Sequence, residues 1–363
     1  MPLVAHNDLP SFARLQREGL LVLPTGRAMH QHIRELHIGL LNMMPDKALE
    51  ATERQFFRLV GESNPIAQFF VHPFSLPELE RSAQGREHVD KYYESFEQIQ
   101  EKGLDALIIT GATPMDPELS NEPFWDPLIK VIDWAAEHVT STLCSCLTTH
   151  AVMQFRYGQQ RIPQPDKIWG VFPHRVVDAS HPLVGDVNSR FHVPHSRWNA
   201  VTREQFDAAG LRVLVESKDI GVHLATSPDG LRFVFCQGHP EYDTVSLLKE
   251  YKREVSLFVS GELEQYPPMP DNYFGLQQKA IFEEFAWHLH RARAAGEEPP
   301  DFPEQLVATE LDNTWHDTAE AVIANWIGLV YQVTHRERHL PFMEGVDPEN
   351  PLGLEPNQPA SES

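Results

Sequence analysis

Residues 139–157 read VTSTLCSCLTTHAVMQFRY, an apolar β-prone run that passes straight into a helix-compatible stretch. Residues 139–146 have the composition of a buried strand, and residues 149–157 that of the helix after it. The unit recurs upstream. Residues 104–110 (LDALIIT) form a second buried run that stops at Gly111. Residues 37–43 (HIGLLNM), just before Pro45, form a third, and 46–62 then place Leu49, Thr52, Phe56 and Val60 at helical spacing. Residues 66–71 read as a further strand. Residues 124–138 carry Trp125, Leu128, Ile132 and Ala135 as a helical stripe. Strands and helices alternating in this way predict an α/β fold, a mostly parallel sheet with helices on both faces.

The second half adds a predicted hairpin, VHLATSPDGLRFVFCQ (222–237), with Asp229-Gly230 as its turn. Helices are expected over 243–259, 277–295 and 318–334, the last with Val322, Trp326 and Val330 on one face. EEPPDFPEQ (297–305) reads as an exposed connector, and the Pro-, Glu-, Asn- and Ser-rich residues 336–363 as a disordered tail. The organisation is then an N-terminal segment (1–30), one domain (31–335) and that tail.

Bulk properties narrow the function. The 363 residues are 41% apolar with a formal charge of −22, which opposes general binding to nucleic acid or membrane surfaces. An anionic ligand needs a local basic pocket. The first residues lack a signal-peptide h-region, and no run reaches membrane-spanning length. Three cysteines (Cys144, Cys146, Cys236) do not make a disulfide framework, so a reducing, cytoplasmic setting is expected. No metal site is expected either: the cysteines lack a second CxxC partner.

Cys146 stands between a predicted strand and a predicted helix, the position of a nucleophile elbow. The helix directs partial positive charge at the sulfur, which favours thiolate, and the Leu147 N–H would lie near a developing oxyanion. The competing reading is a small buried hydrophobe, and the glycines usual at an elbow are missing. In Gly238-His239-Pro240-Glu241, an extended backbone points Glu241 the same way as His239, so the acid can orient the imidazole; Pro240 keeps His239 extended. A helix-capping turn with an incidental histidine is the alternative. Lys47, after Met44-Pro45-Asp46, lies at a strand-to-helix junction on the crevice edge. Lys167, Ser196 and Arg253 carry no local motif and by themselves read as surface residues.

Taken together, IGLLNMMPDKALEATERQF, DALIITGA, HVTSTLCSC, GVFPHRVV, VPHSRW, GHPEYD, KREV, PDNYF and NWIGLVYQ resemble, in order, the homoserine O-acyltransferases, relatives of class I glutamine amidotransferases. The matches cover about 30–274 and 314–334. The resemblance implies a flavodoxin-like core, a homodimer, and Cys146 as acyl-thioester nucleophile with His239 as proton acceptor and Glu241 as its acid. It implies an active-site role for Lys47 and substrate contacts for Lys167, Ser196 and Arg253, the last suited to a carboxylate. No cofactor is implied; acyl-CoA is a substrate beside L-homoserine. Where acetyl-CoA users carry a glutamate and succinyl-CoA users a glycine, this chain has Met115, which lacks the charge that would repel a succinyl carboxylate. Succinyl-CoA is therefore the expected donor, with acetyl-CoA, or serine as acceptor, as alternatives. A glutamine amidohydrolase and a non-catalytic protein are the more distant rivals. After Cys146 the chain departs from the family's aromatic and small residues, and 275–311 read as an insertion.

Overall fold

A computed structural model describes residues 3–28, 34–63 and 67–355. The chain begins with β1 (Leu3–Ala5), α1 (Pro10–Arg17), β2 (Val22–Pro24) and α2 (Thr25–Ala28). There follow β3 (Glu35–Leu41), α3 (Asp46–Glu62), β4 (Gln68–Phe74), α4 (Ala83–Tyr92), α5 (Phe96–Lys102) and β5 (Ala106–Ile109). Next come α6 (Trp125–His138), β6 (Ser141–Ser145), α7 (Leu147–Tyr157), β7 (Ile162–Val176), β8 (Arg190–Ala200), α8 (Arg203–Ala208) and β9 (Arg212–Ser217). The rest comprises β10 (Gly221–Thr226), β11 (Phe233–Cys236), α9 (Ser246–Ser260), α10 (Leu276–Ala295), α11 (Glu304–Ala308) and α12 (His316–Val333).

The eleven strands of the described residues join one sheet in the order β2-β1-β4-β3-β5-β6-β11-β10-β9-β7-β8. Pairing is parallel from β2 through β11 and antiparallel from there to β8. The expected α/β architecture is present. Strand alternation sorts the core into two layers. In β5, Ala106 and Ile108 pack with α1, α3 and α12 on one face, whereas Leu107 and Ile109 pack with α5, α6 and α7 on the other. Burial on both faces explains why these strands read as continuous apolar runs.

The α3 helix starts where Pro45 holds an extended conformation and Asp46 enters the first turn, and its span is the expected one. The 222–237 hairpin forms as β10 and β11. Its loop closes with Gly230 at φ 84°, while the Asp229 carboxylate accepts the Leu231 and Arg232 N–H groups. The long arms β7 and β8 were not anticipated, because Pro163, Pro165, Pro173 and Pro194 and mixed charges obscure their alternation.

Three expectations about organisation change. Within the N-terminal segment, β1 and β2 extend the sheet rather than standing apart from it. The 275–311 stretch forms α10 and α11, whose Phe282, Phe285, Leu289 and Val307 share a third core with Leu248, Tyr251 and Val255 of α9. The tail 336–355 is not disordered. Phe342, Val346 and Leu352 pack on the first core, Arg232 lies over the Phe342 ring, and the Met343 N–H donates to Val333 O. Three spaced apolar anchors suffice to order a polar, proline-rich segment; residues 356–363 lie outside the described ones. Among the described residues no helix is long and apolar enough to cross a membrane.

Candidate active site

The site lies where β5, β6 and β11 end side by side. Cys146, directly after β6, adopts φ 49° and ψ −107°, a strained conformation for a residue with a side chain. Its neighbours impose it. The Cys146 N–H donates to Cys236 O of β11 at 2.7 Å. Thr148 Oγ1 donates to Thr110 O at 2.8 Å and Thr149 Oγ1 to Cys144 O at 2.9 Å, tying the first turn of α7 to the strand ends. These threonines do the anchoring that the missing glycines would otherwise make unnecessary. Cys144 and Cys236 are buried, whereas Cys146 is only partly so. The strand-end cysteine is therefore a presented thiol, not a core hydrophobe. Gly111 faces it: a methyl there would sit 3.5 Å from Cys146 Cβ and 3.8 Å from the Leu147 nitrogen. The glycine thus keeps side-chain carbon away from the Leu147 nitrogen.

His239 arrives from β11 through Gln237 and Gly238. The Gln237 side chain spans Val201 and Val222 by three backbone hydrogen bonds of 2.8–3.0 Å. Gly238 is a close-approach position, since any Cβ would come within 2.6 Å of Val193 and 2.7 Å of His195 Nε2. The His239 N–H donates to Pro194 O at 2.8 Å. Its Nδ1 then pairs with Glu241 Oε1 at 2.8 Å, as the alternation of extended residues predicts, and the Cys146 sulfur lies near enough to act on the ring's charge. Burial alone would lower the imidazole, but the Glu241 carboxylate and the Cys146 sulfur outweigh it and hold His239 well above its ordinary value.

Tyr242 stacks on the His239 ring with centroids 4.4 Å apart, and its hydroxyl donates to Glu250 Oε1 at 2.6 Å. Glu250 also accepts the Ser196 hydroxyl at 2.7 Å. Lys167 Nζ lies 3.7 Å from Glu250 and 4.0 Å from Glu254, over the Trp169 ring. Burial lowers this lysine against the pull of both acids. Far from being surface residues, Lys167 and Ser196 converge on α9, where half-exposed Arg253 pairs with Glu254 at 3.2 Å. Lys47 is exposed in the first turn of α3. Met115 is 90% exposed on the loop after β5, its N–H held by Glu122. Among the described residues, neither hydrogen-bonds or ion-pairs with Cys146, His239 or Glu241.

Tyr242 and Glu250 escaped sequence reasoning. Tyr242 belongs to the GHPEYD motif, but Glu250 carries no local mark; only the β8 crossing brings Ser196 to it. A layer of buried His174, His195 and His223 also lies beneath the site. Arg197 donates there to His195 Nδ1 at 3.3 Å and to the Asn199 and Ile220 carbonyls, and burial pulls its guanidinium down to about 10.

A presented cysteine on a strained strand-to-helix turn, an imidazole near it and an acid on one ring nitrogen are the parts that nucleophilic acyl transfer requires, here on an α/β sheet. The chain belongs to the homoserine O-succinyltransferase family, whose pattern matches residues 2–336 and so takes in 275–311. It is 67% identical over 354 residues to a homoserine O-succinyltransferase of Thiobacillus denitrificans, covering 98% of this chain and 100% of that one. It is 65% identical over 354 residues to that of Allochromatium vinosum, covering 98% and 99%. Among solved structures, a glutamine amido transferase from Methylobacillus flagellatus aligns with TM-score 0.47 and 13% identity, over 82% of this chain and 95% of that one.

Proposed function

We propose that this chain carries out the reaction its family is named for, moving the succinyl group of succinyl-CoA onto the hydroxyl of L-homoserine in methionine biosynthesis, with Cys146 as carrier. The observation that supports it is the Cys146–His239–Glu241 arrangement at the elbow. In the first half-reaction His239 takes the thiol proton and the sulfur attacks the thioester carbonyl. The Leu147 N–H faces the oxyanion, which collapses to expel CoA thiolate, protonated from His239. In the second, His239 takes the homoserine hydroxyl proton, the alkoxide attacks the acyl-cysteine, and the sulfur leaves. One thioester replaces another, so the first step is nearly balanced and the protein contributes mainly positioning and oxyanion stabilisation.

In this reading Arg253 takes the homoserine carboxylate, Lys167 and Ser196 shape the acceptor side, Lys47 supports the anionic substrate, and Met115 admits the succinyl carboxylate. No cofactor takes part. The enzyme acts in the cytoplasm as a homodimer, a state that light scattering reads directly.

The test is a matrix of succinyl-CoA and acetyl-CoA against homoserine and serine, with intact-protein mass spectrometry. Succinyl-CoA alone should add one succinyl group to the protein, homoserine should remove it, and Cys146→Ser should abolish both. Intersecting initial-velocity lines with no acyl-enzyme would overturn the mechanism, and preference for acetyl-CoA would overturn the donor.

A further inference from the structure

Away from the active site, on β4, the structure gathers His6, His72 and Glu94, far apart in sequence, with one donor atom from each all within 4.8 Å of one another. β4 is separated from β6, which carries Cys146, by β3 and β5. His6 follows β1. Its Nδ1 donates to Val4 O at 3.1 Å, so its lone pair lies on Nε2. That Nε2 is buried and, among the described residues, has no hydrogen-bond partner. The His6 ring faces the His72 ring, with centroids 4.7 Å apart. His72 in turn places Nδ1 2.6 Å from Glu94 Oε1 and Nε2 2.9 Å from His37 Nδ1. His37 continues to Glu35 at 3.5 Å.

We propose that His6, His72 and Glu94 bind one divalent transition-metal ion, zinc by the character of the set, through His6 Nε2, His72 Nδ1 and a Glu94 oxygen.

Three features carry this beyond a hydrogen-bonded cluster. Two imidazoles and a carboxylate are a ligand set that zinc accepts, with a fourth position left for water. Each histidine has its other nitrogen engaged as in zinc sites: His6 Nδ1 on a backbone carbonyl, and His72 Nε2 on His37, which Glu35 backs. The orphaned His6 Nε2 points to a missing partner, since buried ring nitrogens are rarely left unpaired. Metal–ligand distances of about 2.0–2.2 Å imply ligand separations of about 3.4 Å. The widest gap must therefore close by about 1.4 Å, and the short His72–Glu94 contact must open. The movement required falls on His6 and Glu94, which are only partly buried, while His72 is buried between them. Lys102 Nζ pairs with the second Glu94 oxygen; being half-exposed, it can hold that oxygen or swing away as charge accumulates. The ion would pin the end of β1 and the segment before α5 to β4, fastening the N-terminal strand pair. The cysteine spacing that argued against a metal did not bear on these residues.

The experiment titrates zinc chloride into full-length protein freed of metal with EDTA, in a Cys146→Ser background so that the active-site thiol cannot capture the ion. Calorimetry with elemental analysis should give one zinc per chain and a raised Tm. His6→Ala and Glu94→Gln should each weaken binding about a hundredfold or more, at or beyond the cost of losing an outer-shell partner. Cobalt chloride should give a tetrahedral visible band that the same variants lose. His6 lies outside the His72–His37–Glu35 chain, so its replacement spares the fold, which circular dichroism checks. No zinc bound, or zinc binding unchanged in His6→Ala, overturns the proposal.

Discussion

Replacing Glu241 by glutamine keeps the side chain's shape and removes its charge. Glu241 and His239 are both buried and 2.8 Å apart, so solvent screens the pair little. Removing one partner of a buried ion pair costs about 3–5 kcal/mol, because the other charge is left without its counterion. At about 1.4 kcal/mol per decade of rate, kcat/KM for succinyl-CoA should fall by roughly 10² to 10⁴. The direction follows from the opposing influences on His239: without the carboxylate, burial is left to dominate and the imidazole falls from its raised value. A histidine raised in the folded state stabilises the protein fully below its unfolded value of about 6.5, and that stabilisation is lost as pH rises through the folded value. The stability difference between parent and Glu241→Gln should therefore be largest below about pH 6.5 and shrink on the alkaline side. Rapid-quench single-turnover acylation, followed as CoA release, measures the rate; urea unfolding across pH measures the linkage. A Glu241→Gln rate within about threefold of the parent, with folding intact, would show that the acid does not hold an imidazolium, and the assigned triad would fail.

Gly111→Ala fits sterically, its methyl 3.5 Å from Cys146 Cβ, yet it brings carbon within 3.8 Å of the Leu147 nitrogen assigned to the oxyanion. Acylation should fall about 10²–10³-fold with Tm little changed, and unaltered single-turnover rates would remove Leu147 from the oxyanion site. Burial lowers His150 to about 3 and His174 and His181 to about 4. The unfolded chain thus binds protons first on acidification, and stability should drop by about 1.4 kcal/mol per pH unit for each histidine from about pH 6.5 downward; a flat urea midpoint from pH 6.5 to 4.5 would contradict this. Met115→Glu should lower kcat/KM for succinyl-CoA about fivefold while sparing acetyl-CoA, since one exposed like charge costs about 1 kcal/mol; equal effects on both donors would free Met115 of a selective role.

Much of the site was legible because its parts are short-range. Whether a strand ends at Cys146 and a helix follows depends on neighbours within one turn, and the pairing of Glu241 with His239 follows from an extended dipeptide held by Pro240. Lys167 and Ser196 were recognisable only by resemblance, for their burial depends on β7 and β8, whose prolines hide the strand pattern. Glu250 left no trace, since a hub and a solvated helix glutamate have the same local pattern, and only its contacts with Tyr242 and Ser196 tell them apart.

The amino-acid pattern alone determined the alternating strand and helix runs, the position of the thiol between them and the acid beside the imidazole, because periodicity and backbone restriction act locally. Only tertiary structure decided that β11 lies beside β6, so that Cys236 O catches the Cys146 N–H and His239 comes near enough to feel its sulfur. It likewise decided that Glu250 collects Tyr242 and Ser196, that the polar tail seats on the core, and that His6, His72 and Glu94 meet. Those meetings depend on strand order, which is set by the total burial and hydrogen bonding of the assembled sheet and is not encoded within any one segment.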